Sequence, residues 1–226
     1  MIKLVKKILK FVAVVAAVGV VVFAGVMANE IFGNPVSKYL AAKNSVAFVE
    51  ENYPDLEFEA GETGYDFKGV RYYTKFTLKG DEDISFTVSC DRKGDYHYDD
   101  YDWMALLRFE NAATKELSPA LIKEFGEKSK PEITIENFHE LEEKKLVTIN
   151  QTVDFDNFPF EINVDINVFT DEEDHNEIIA ESVRKIDSAV DGRFTIANYI
   201  IDIYNADGTE LTDYVMLPAE VSEFAY

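Results

Sequence analysis

The stretch VRYYTKFTLKGDEDISFTVSC, residues 70–90, contains two runs in which apolar and polar side chains alternate. The first run extends from Val70 to Leu78, and the second extends from Ile84 to Cys90. A period of two places the apolar side chains on one face of a strand, and the charged, glycine-containing segment between the runs is typical of a turn. The stretch therefore predicts a half-buried antiparallel hairpin.

The segments on either side of this hairpin predict a third strand and helices. Asn34 can cap a helix and Pro35 suits its first position, which predicts a helix start there. Apolar residues then recur at helical spacing over residues 35–52, and a proline at residue 54 ends the pattern. On the other side, Tyr96 and Tyr98 follow a turn and predict a third strand. A helix is predicted from about Tyr101 to Leu117, and a short second helix from Pro119 to Phe125.

The C-terminal half repeats the combination of strands and a helix. The predicted strands are residues 147–155, which alternate imperfectly, and residues 160–168, 194–204 and 211–217. Thr170 and Glu173 have the spacing of a capping box, which predicts the start of a helix that ends at Asp191 and Gly192. Residues 205–208, Asn-Ala-Asp-Gly, are typical of a hairpin turn.

Together these patterns predict an α+β fold with two small units, each an antiparallel sheet covered by helices. The segment Gly126–Pro131 is rich in turn-forming and charged residues and is the best linker candidate after the N-terminal region. The predicted domains are therefore residues 35–128 and residues 129–226, preceded by a separate segment at residues 1–34.

The N-terminal segment predicts a transmembrane helix. Residues 11–28 contain no charged side chain, and four lysines precede them. Eighteen helical residues cover roughly 27 Å, which is close to the thickness of the hydrocarbon core and places membrane lipid around residues 11–28. Lysines favour the cytoplasmic side, so we expect a single-pass protein with a cytoplasmic N-terminus and an extracellular body.

A cleaved signal peptide is the alternative interpretation of the same segment. Val26 and Ala28 are small residues at the positions that a signal peptidase requires before Asn29. The apolar run is longer than the usual hydrophobic region of a signal peptide, which favours retention of the anchor. Both interpretations export the rest of the chain.

The charge of the chain excludes one class of partner. The first ten residues hold four of the 22 Lys and Arg residues and none of the 43 acids, so the rest carries a formal charge of −25. Such a surface repels nucleic acid and anionic headgroups. The single cysteine, Cys90, excludes an intramolecular disulfide, and an exported protein without disulfides is typical of Gram-positive bacteria.

One cluster has the composition of a metal site. On a strand, Asp95, His97 and Asp99 would share one face, where they could hold a divalent cation. The alternative is a solvated edge strand, which we favour because the glycine and glutamate of an EF-hand loop are replaced by Asp100 and Leu106.

A second cluster is aromatic. Four rings lie close together in the sequence, at Tyr96, Tyr98, Tyr101 and Trp103. Such a cluster is typical of a recognition patch for a peptide or a sugar, although aromatic residues more often form part of a core. The exposure of Trp103 would distinguish the two interpretations.

No motif predicts catalysis or a cofactor. The chain lacks the signatures of nucleophile elbows, dinucleotide-binding loops and phosphate-binding loops, and its three scattered histidines form no zinc signature. Carboxylates are so numerous that a pair of them in the sequence does not specifically indicate a catalytic acid pair. Their abundance is the one feature that favours a third hypothesis, an envelope hydrolase. We therefore expect a protein that is not an enzyme.

Several motifs in the first hundred residues resemble a known family. They are Gly33–Lys38 (GNPVSK), Glu51–Pro54 (ENYP) and Gly64–Lys68 (GYDFK), placed after a lysine-flanked apolar segment. This part of the chain resembles the YfjL-like family of uncharacterised, membrane-anchored proteins of Gram-positive bacteria. The resemblance implies an N-terminal anchor and an exported α+β body, and it implies no activity.

The functional expectation follows from these features. The chain is expected to be a non-catalytic interaction or regulatory module at the cell envelope, with an envelope protein or peptide as partner. The alternative is a divalent-cation-responsive envelope protein that uses Asp95, His97 and Asp99.

Overall fold

The computed structural model describes residues 2–172 and 174–216. The chain divides into two compact units, residues 1–101 and residues 102–226. This division lies before the predicted boundary at residues 128 and 129, because the helix over residues 101–125 contributes Ala113, Leu117 and Leu121 to the core of the second unit.

The first unit begins with helix α1 (Ile2–Phe32), which is followed by helix α2 (Pro35–Asn52). Gly33 separates the two helices with a φ of +75°, a conformation that favours glycine. The large apolar side chains described between Leu9 and Phe32 are exposed to solvent. Among the described residues, this is the one helical stretch that is long and apolar enough to cross a membrane.

Helix α2 starts as the sequence predicts. The Asn34 side chain accepts hydrogen bonds from the backbone N–H groups of Val36 and Ser37, and Pro35 occupies the first turn. The helix covers one face of a four-stranded antiparallel sheet in the order β1-β2-β3-β4. The strands are β1 (Phe58–Asp66), β2 (Arg71–Leu78), β3 (Asp81–Cys90) and β4 (Tyr96–Asp99).

The predicted hairpin corresponds to β2 and β3, with Tyr73 opposite Ser89 and Phe76 opposite Phe86. The apolar face of this hairpin forms the core beneath α2, where Tyr72, Phe76 and Phe86 are almost fully buried. Strand β1 lacks clear alternation in the sequence and was not predicted. Its register shifts between Ala60 and Thr63, around Gly61, which interrupts the period of two.

The second unit contains helix α3 (Tyr101–Phe125), whose first residue belongs to the first unit. It also contains helix α4 (Phe138–Lys144) and helix α5 (His175–Val190). Its strands are β5 (Glu132–Ile135), β6 (Glu161–Phe169), β7 (Thr195–Tyr204) and β8 (Glu210–Met216), paired in that order. A core of isoleucines and valines from α5, β6 and β7 packs against α3 residues. The α+β class is confirmed.

The second sheet is not purely antiparallel as predicted, because β6 and β7 run parallel, and its first strand, β5, was not predicted. Helix α5 connects these two strands and returns the chain to the same end of the sheet, as parallel pairing requires. The predicted cap of this helix is also corrected. Asp174 is the N-cap and accepts hydrogen bonds from the N–H groups of Asn176 and Glu177, whereas Thr170 bonds the N–H of Glu172.

Two further predictions in the second unit are corrected. The two predicted helices over residues 101–125 form one helix that includes Pro119, and the burial of Leu117 and Leu121 on either side compensates for the missing N–H. The predicted strand at residues 147–155 is a loop. Val147 and Ile149 are nevertheless buried, so apolar anchoring of a loop produced the alternating pattern.

Candidate functional site

The structure does not bring the predicted metal ligands together. In β4, Tyr96 is opposite Cys90 and Tyr98 is opposite Ser89, so two adjacent residues of β3 face two residues of β4 that are separated by His97. His97 is therefore the extra residue of a β-bulge, which interrupts the alternation on which the shared face was predicted.

Asp99 has other partners. Its carboxylate accepts hydrogen bonds from the Tyr53 hydroxyl at 3.0 Å, the Tyr96 hydroxyl at 2.8 Å and the Tyr101 N–H at 3.1 Å. Asp95 and His97 are exposed. Within residues 2–172 and 174–216, no group of three His, Cys, Asp or Glu side chains is arranged to hold a metal ion. The site of Asp95, His97 and Asp99 stays a prediction that the geometry of β4 does not support.

The aromatic cluster of the sequence is divided among different environments. Tyr101 is buried and stacks on Tyr53 at 4.0 Å between ring centroids. Tyr96 stacks on Phe48 of α2 at 4.2 Å. Trp103 belongs to the second unit, where it contacts Phe138 at 4.5 Å, and it is 37% exposed. Only Tyr98 of the four points to the face of the first sheet opposite α2.

That open face carries a row of four residues that crosses all four strands. Gly64 of β1 is opposite Tyr73 of β2, Tyr73 is opposite Ser89 of β3, and Ser89 is opposite Tyr98 of β4. Tyr73 and Tyr98 are 43% and 49% exposed, whereas Ser89 between them is buried. We call Gly64, Arg71, Tyr73, Ser89 and Tyr98 the tyrosine face.

Gly64 determines where the ring of Tyr73 lies. A Cβ atom built on Gly64 would be 2.6 Å from Cε2 of Tyr73, closer than real Cβ contacts. The ring therefore lies over the backbone of β1, in the space that a side chain at residue 64 would occupy. A glycine opposite an aromatic residue is a known way to cover the exposed backbone of a strand.

Arg71 supports the second ring of the tyrosine face. Its guanidinium carbon lies 6.0 Å from the centroid of the Tyr98 ring, at the limit of a cation–π interaction. Arg71 is opposite Asp66 in the register of β1 and β2. The Asp66 carboxylate accepts hydrogen bonds from the N–H groups of Lys68 and Gly69, which fixes the turn beside this face.

The tyrosine face borders an open depression of about 610 Å³. Its polar margin includes Thr87 and Asp100, and Asp100 accepts a hydrogen bond from the N–H of Thr87. Burial raises the pKa of the Asp100 carboxyl above its ordinary value, although the Thr87 hydrogen bond opposes the shift. The depression thus combines the rings of Tyr73 and Tyr98 with the Arg71 guanidinium and the Asp100 carboxyl group of reduced acidity. Its lining also includes Tyr65, Asp66 and Phe67.

Sequence reasoning found Tyr98 and missed Tyr73. The alternation of residues 70–78 places Tyr73 on the polar face with Arg71 and Lys75. This placement could have predicted that Tyr73 is exposed. The pairing of Tyr73 with Gly64 could not be predicted, because β1 itself was not recognised. A tyrosine on the solvent side of an alternating strand is the feature to look for.

The comparisons with known proteins concern the same part of the chain. The family model described as "YfjL-like, N-terminal domain" matches residues 6–100. These residues include most of α1, all of α2 and the whole first sheet, and the match supports the resemblance of this part to the YfjL-like family. No curated protein and no solved structure gave a significant match.

Proposed function

We propose that this protein is a membrane-anchored, non-catalytic interaction module of the cell envelope of a Gram-positive bacterium. Its acidic α+β body lies outside the cytoplasm, and the tyrosine face binds an envelope protein or peptide. The family resemblance of residues 6–100 and the apolar helix α1 support the anchored arrangement. The four lysines before residue 11 favour a cytoplasmic N-terminus.

The observation that carries the binding role is the pair of half-exposed rings on the open side of the first sheet. Tyrosine and arginine, together with tryptophan, are enriched among the residues that dominate binding energy at protein interfaces. Here Tyr73 is positioned by Gly64, and Tyr98 lies beside Arg71. Rings that are already positioned lose little conformational entropy when a partner binds.

Site-specific crosslinking in living cells tests this proposal. A photoreactive phenylalanine analogue is placed at Tyr98, and in a matched variant at Tyr39, which is 67% exposed on α2. We expect a discrete protein adduct from residue 98 and none of the same mass from residue 39. Identical adducts from both residues would show that the reaction reports general proximity.

The affinity of the identified partner then gives the quantitative test. We expect Tyr73→Ala and Tyr98→Ala each to weaken binding by about 30-fold, which corresponds to about 2 kcal/mol. Tyr39→Ala should bind as the unchanged protein does. Equal affinity of all three variants would remove the tyrosine face as the binding surface.

A further inference from the structure

The end of helix α1 is fixed to one end of the first sheet. Arg92, in the connection between β3 and β4, pairs with Glu30 of α1. The hydroxyl of Tyr72 accepts a hydrogen bond from the N–H of Asn34 at 2.6 Å. A Cβ atom on Gly33 would lie 2.7 Å from Cγ of Tyr65, so the chain passes close against that ring. These contacts determine how far the sheet stands from the apolar part of α1.

That distance is short. The uncharged run ends at Ala28, so Glu30 lies about 3 Å and Gly33 about 7.5 Å further along the helix axis. The polar layer on each side of a bilayer is roughly 5–8 Å thick. If residues 11–28 span the hydrocarbon core, this end of the sheet lies within the headgroup layer.

Two hairpin connections occupy this end of the sheet. The first connection, residues 67–70, is closed by the pair Asp66 and Arg71, and the second, residues 91–95, is closed by the pair Cys90 and Tyr96. The connection between β2 and β3 lies at the opposite end, because the strands are antiparallel. We call residues 67–70 and 91–95 the proximal tips.

The proximal tips expose apolar and basic side chains. Phe67 is 57% exposed and Val70 is 36% exposed, and Lys68 lies between them in an exposed position. Val70 has a φ of +57°, which is unfavourable for a β-branched residue and is more often occupied by glycine or asparagine. Valine at residue 70 is therefore unfavourable both for solubility, because it is exposed, and for the backbone conformation.

The acids near the proximal tips are mostly engaged. Asp66 accepts hydrogen bonds from two backbone N–H groups of the first tip, and Asp91 accepts two from the second tip, those of Lys93 and Asp95. Glu30 pairs with Arg92. Asp95 at the end of the second tip is also exposed.

The opposite end of the first unit is strongly acidic. The first residues of β3 at this end are Asp81, Glu82 and Asp83, and Lys79 in the connection before them pairs with Glu57 at 3.1 Å. The charge that would repel anionic headgroups is therefore concentrated away from α1. The average charge of the chain does not describe the surface next to the anchor.

We propose that the proximal tips insert into the headgroup layer of the bilayer that α1 spans. Phe67 and Val70 contact the boundary of the acyl chains, and Lys68 and Lys93 bind lipid phosphates. Aromatic and apolar side chains flanked by lysine are the composition that stabilises proteins at this boundary. The inference rests on the proposed function, because it requires α1 to be embedded in a membrane.

Tryptophan fluorescence of the full-length chain in lipid nanodiscs tests this contact. Trp103→Phe removes the native tryptophan, and Phe67→Trp then reports from the first proximal tip. Glu82→Trp in the same background is the matched control at the opposite end of the sheet. The nanodiscs contain phosphatidylcholine and phosphatidylglycerol, with a nitroxide-labelled lipid as quencher.

We expect the emission from residue 67 to be blue-shifted and quenched by the labelled lipid, and the emission from residue 82 to be unaffected. Lys68→Gln or Lys93→Gln should each lower the ratio of molecules with inserted tips to molecules with solvated tips about fivefold. This factor corresponds to about 1 kcal/mol per cation. Lys79→Gln should leave the ratio unchanged. Equal emission and quenching at residues 67 and 82 would overturn the inference.

Flotation of the same chain reconstituted in liposomes of the same lipids separates this inference from the anchor. A chain that floats with lipid after an alkaline wash but shows a solvated residue 67 retains the proposed anchor and contradicts the contact of the proximal tips. A chain that does not float contradicts both the anchor and the contact.

Discussion

The ring of Tyr73 lies over the backbone of Gly64, its partner across the β1–β2 ladder. This relationship places an aromatic ring on the open face of the first sheet, and it depends on the absence of a side chain at residue 64. Tyr73 and Gly64 are therefore expected to be energetically coupled.

Gly64→Ala tests this coupling. The added methyl group must displace the ring, so we expect a loss of about 1–3 kcal/mol in the free energy of unfolding. In the background of Tyr73→Ala the same change should have almost no effect, because the ring is absent. Glu59→Ala, on an exposed residue of the same strand, should change stability by less than about 0.5 kcal/mol.

Urea denaturation of the unchanged protein, the two single variants and the double variant measures this coupling. An equal cost of Gly64→Ala with and without the Tyr73 ring would show that the two residues are independent. Such a result would also remove the reason for the position of the ring on the tyrosine face.

Asp165 on β6 makes the stability of the second unit dependent on pH. Burial, followed by repulsion from Asp202 and Glu132, raises the pKa of the Asp165 carboxyl to about 6. The folded state therefore binds a proton more tightly than the unfolded state does. The contribution of Asp165 to stability is fully present below 3.8, the pKa of the carboxyl in the unfolded chain. This contribution is lost as the pH rises through about 6.

Asp165→Asn should remove this loss. Because the group is partly solvated, we expect a gain of about 1 kcal/mol at pH 8 and little change at pH 4. Melting temperatures at the two pH values, with Glu143→Gln as the control for loss of an exposed carboxylate, check the effect. A gain of the same size at both pH values would mean that titration of Asp165 is not the cause.

Helix α3 tests the division of the chain into units. Leu117 is fully buried in the core of the second unit, so Leu117→Ala should destabilise that unit by about 2–5 kcal/mol. Hydrogen exchange should then accelerate in β6 and β7, whereas β2 and β3 keep their protection. Lys115→Ala, at an exposed residue of the same helix, is the control.

If exchange accelerates equally in both sheets, the two units unfold together. If exchange accelerates only in the first sheet, α3 belongs to the first unit, as the predicted boundary at residues 128 and 129 implies.

The thiol of Cys90 reports on unfolding of the first unit. Cys90 is 1% exposed, its Sγ atom lies 3.4 Å from the Ser45 hydroxyl oxygen, and burial raises the pKa of the thiol. We expect the folded protein to react with a thiol reagent at least about 100-fold more slowly than the protein in urea, because the thiolate must form in solvent. Rapid reaction under native conditions would contradict this packing.

Particular residues show how far the sequence predicted the fold. The alternation from Val70 to Cys90 predicted β2 and β3, and Asn34 predicted the start of α2, because these signals are local. The parallel pairing of β6 with β7 was missed, because the strict alternation of residues 160–168 is typical of antiparallel strands. Strand β6 also pairs with β5 in the antiparallel sense, which is consistent with the alternation of its residues.

The candidate site was predicted only in part, because it depends on pairing between distant segments. The bulge at His97 separates the ligands that strict alternation would have aligned. The tyrosine face requires the register of all four strands, and a single sequence contains no direct signal for register. The proposed insertion of the proximal tips depends on the Glu30–Arg92 pair, which joins residues 62 positions apart and has no signal in the sequence.

Protease treatment of intact cells tests the central claim, that α1 anchors an exported body. The account predicts that external protease removes the folded units without lysis and leaves a short fragment that contains residues 11–28 in the membrane fraction. An intact chain that is degraded only after lysis would place the body in the cytoplasm, and a chain recovered in the soluble fraction would show that α1 is not an anchor.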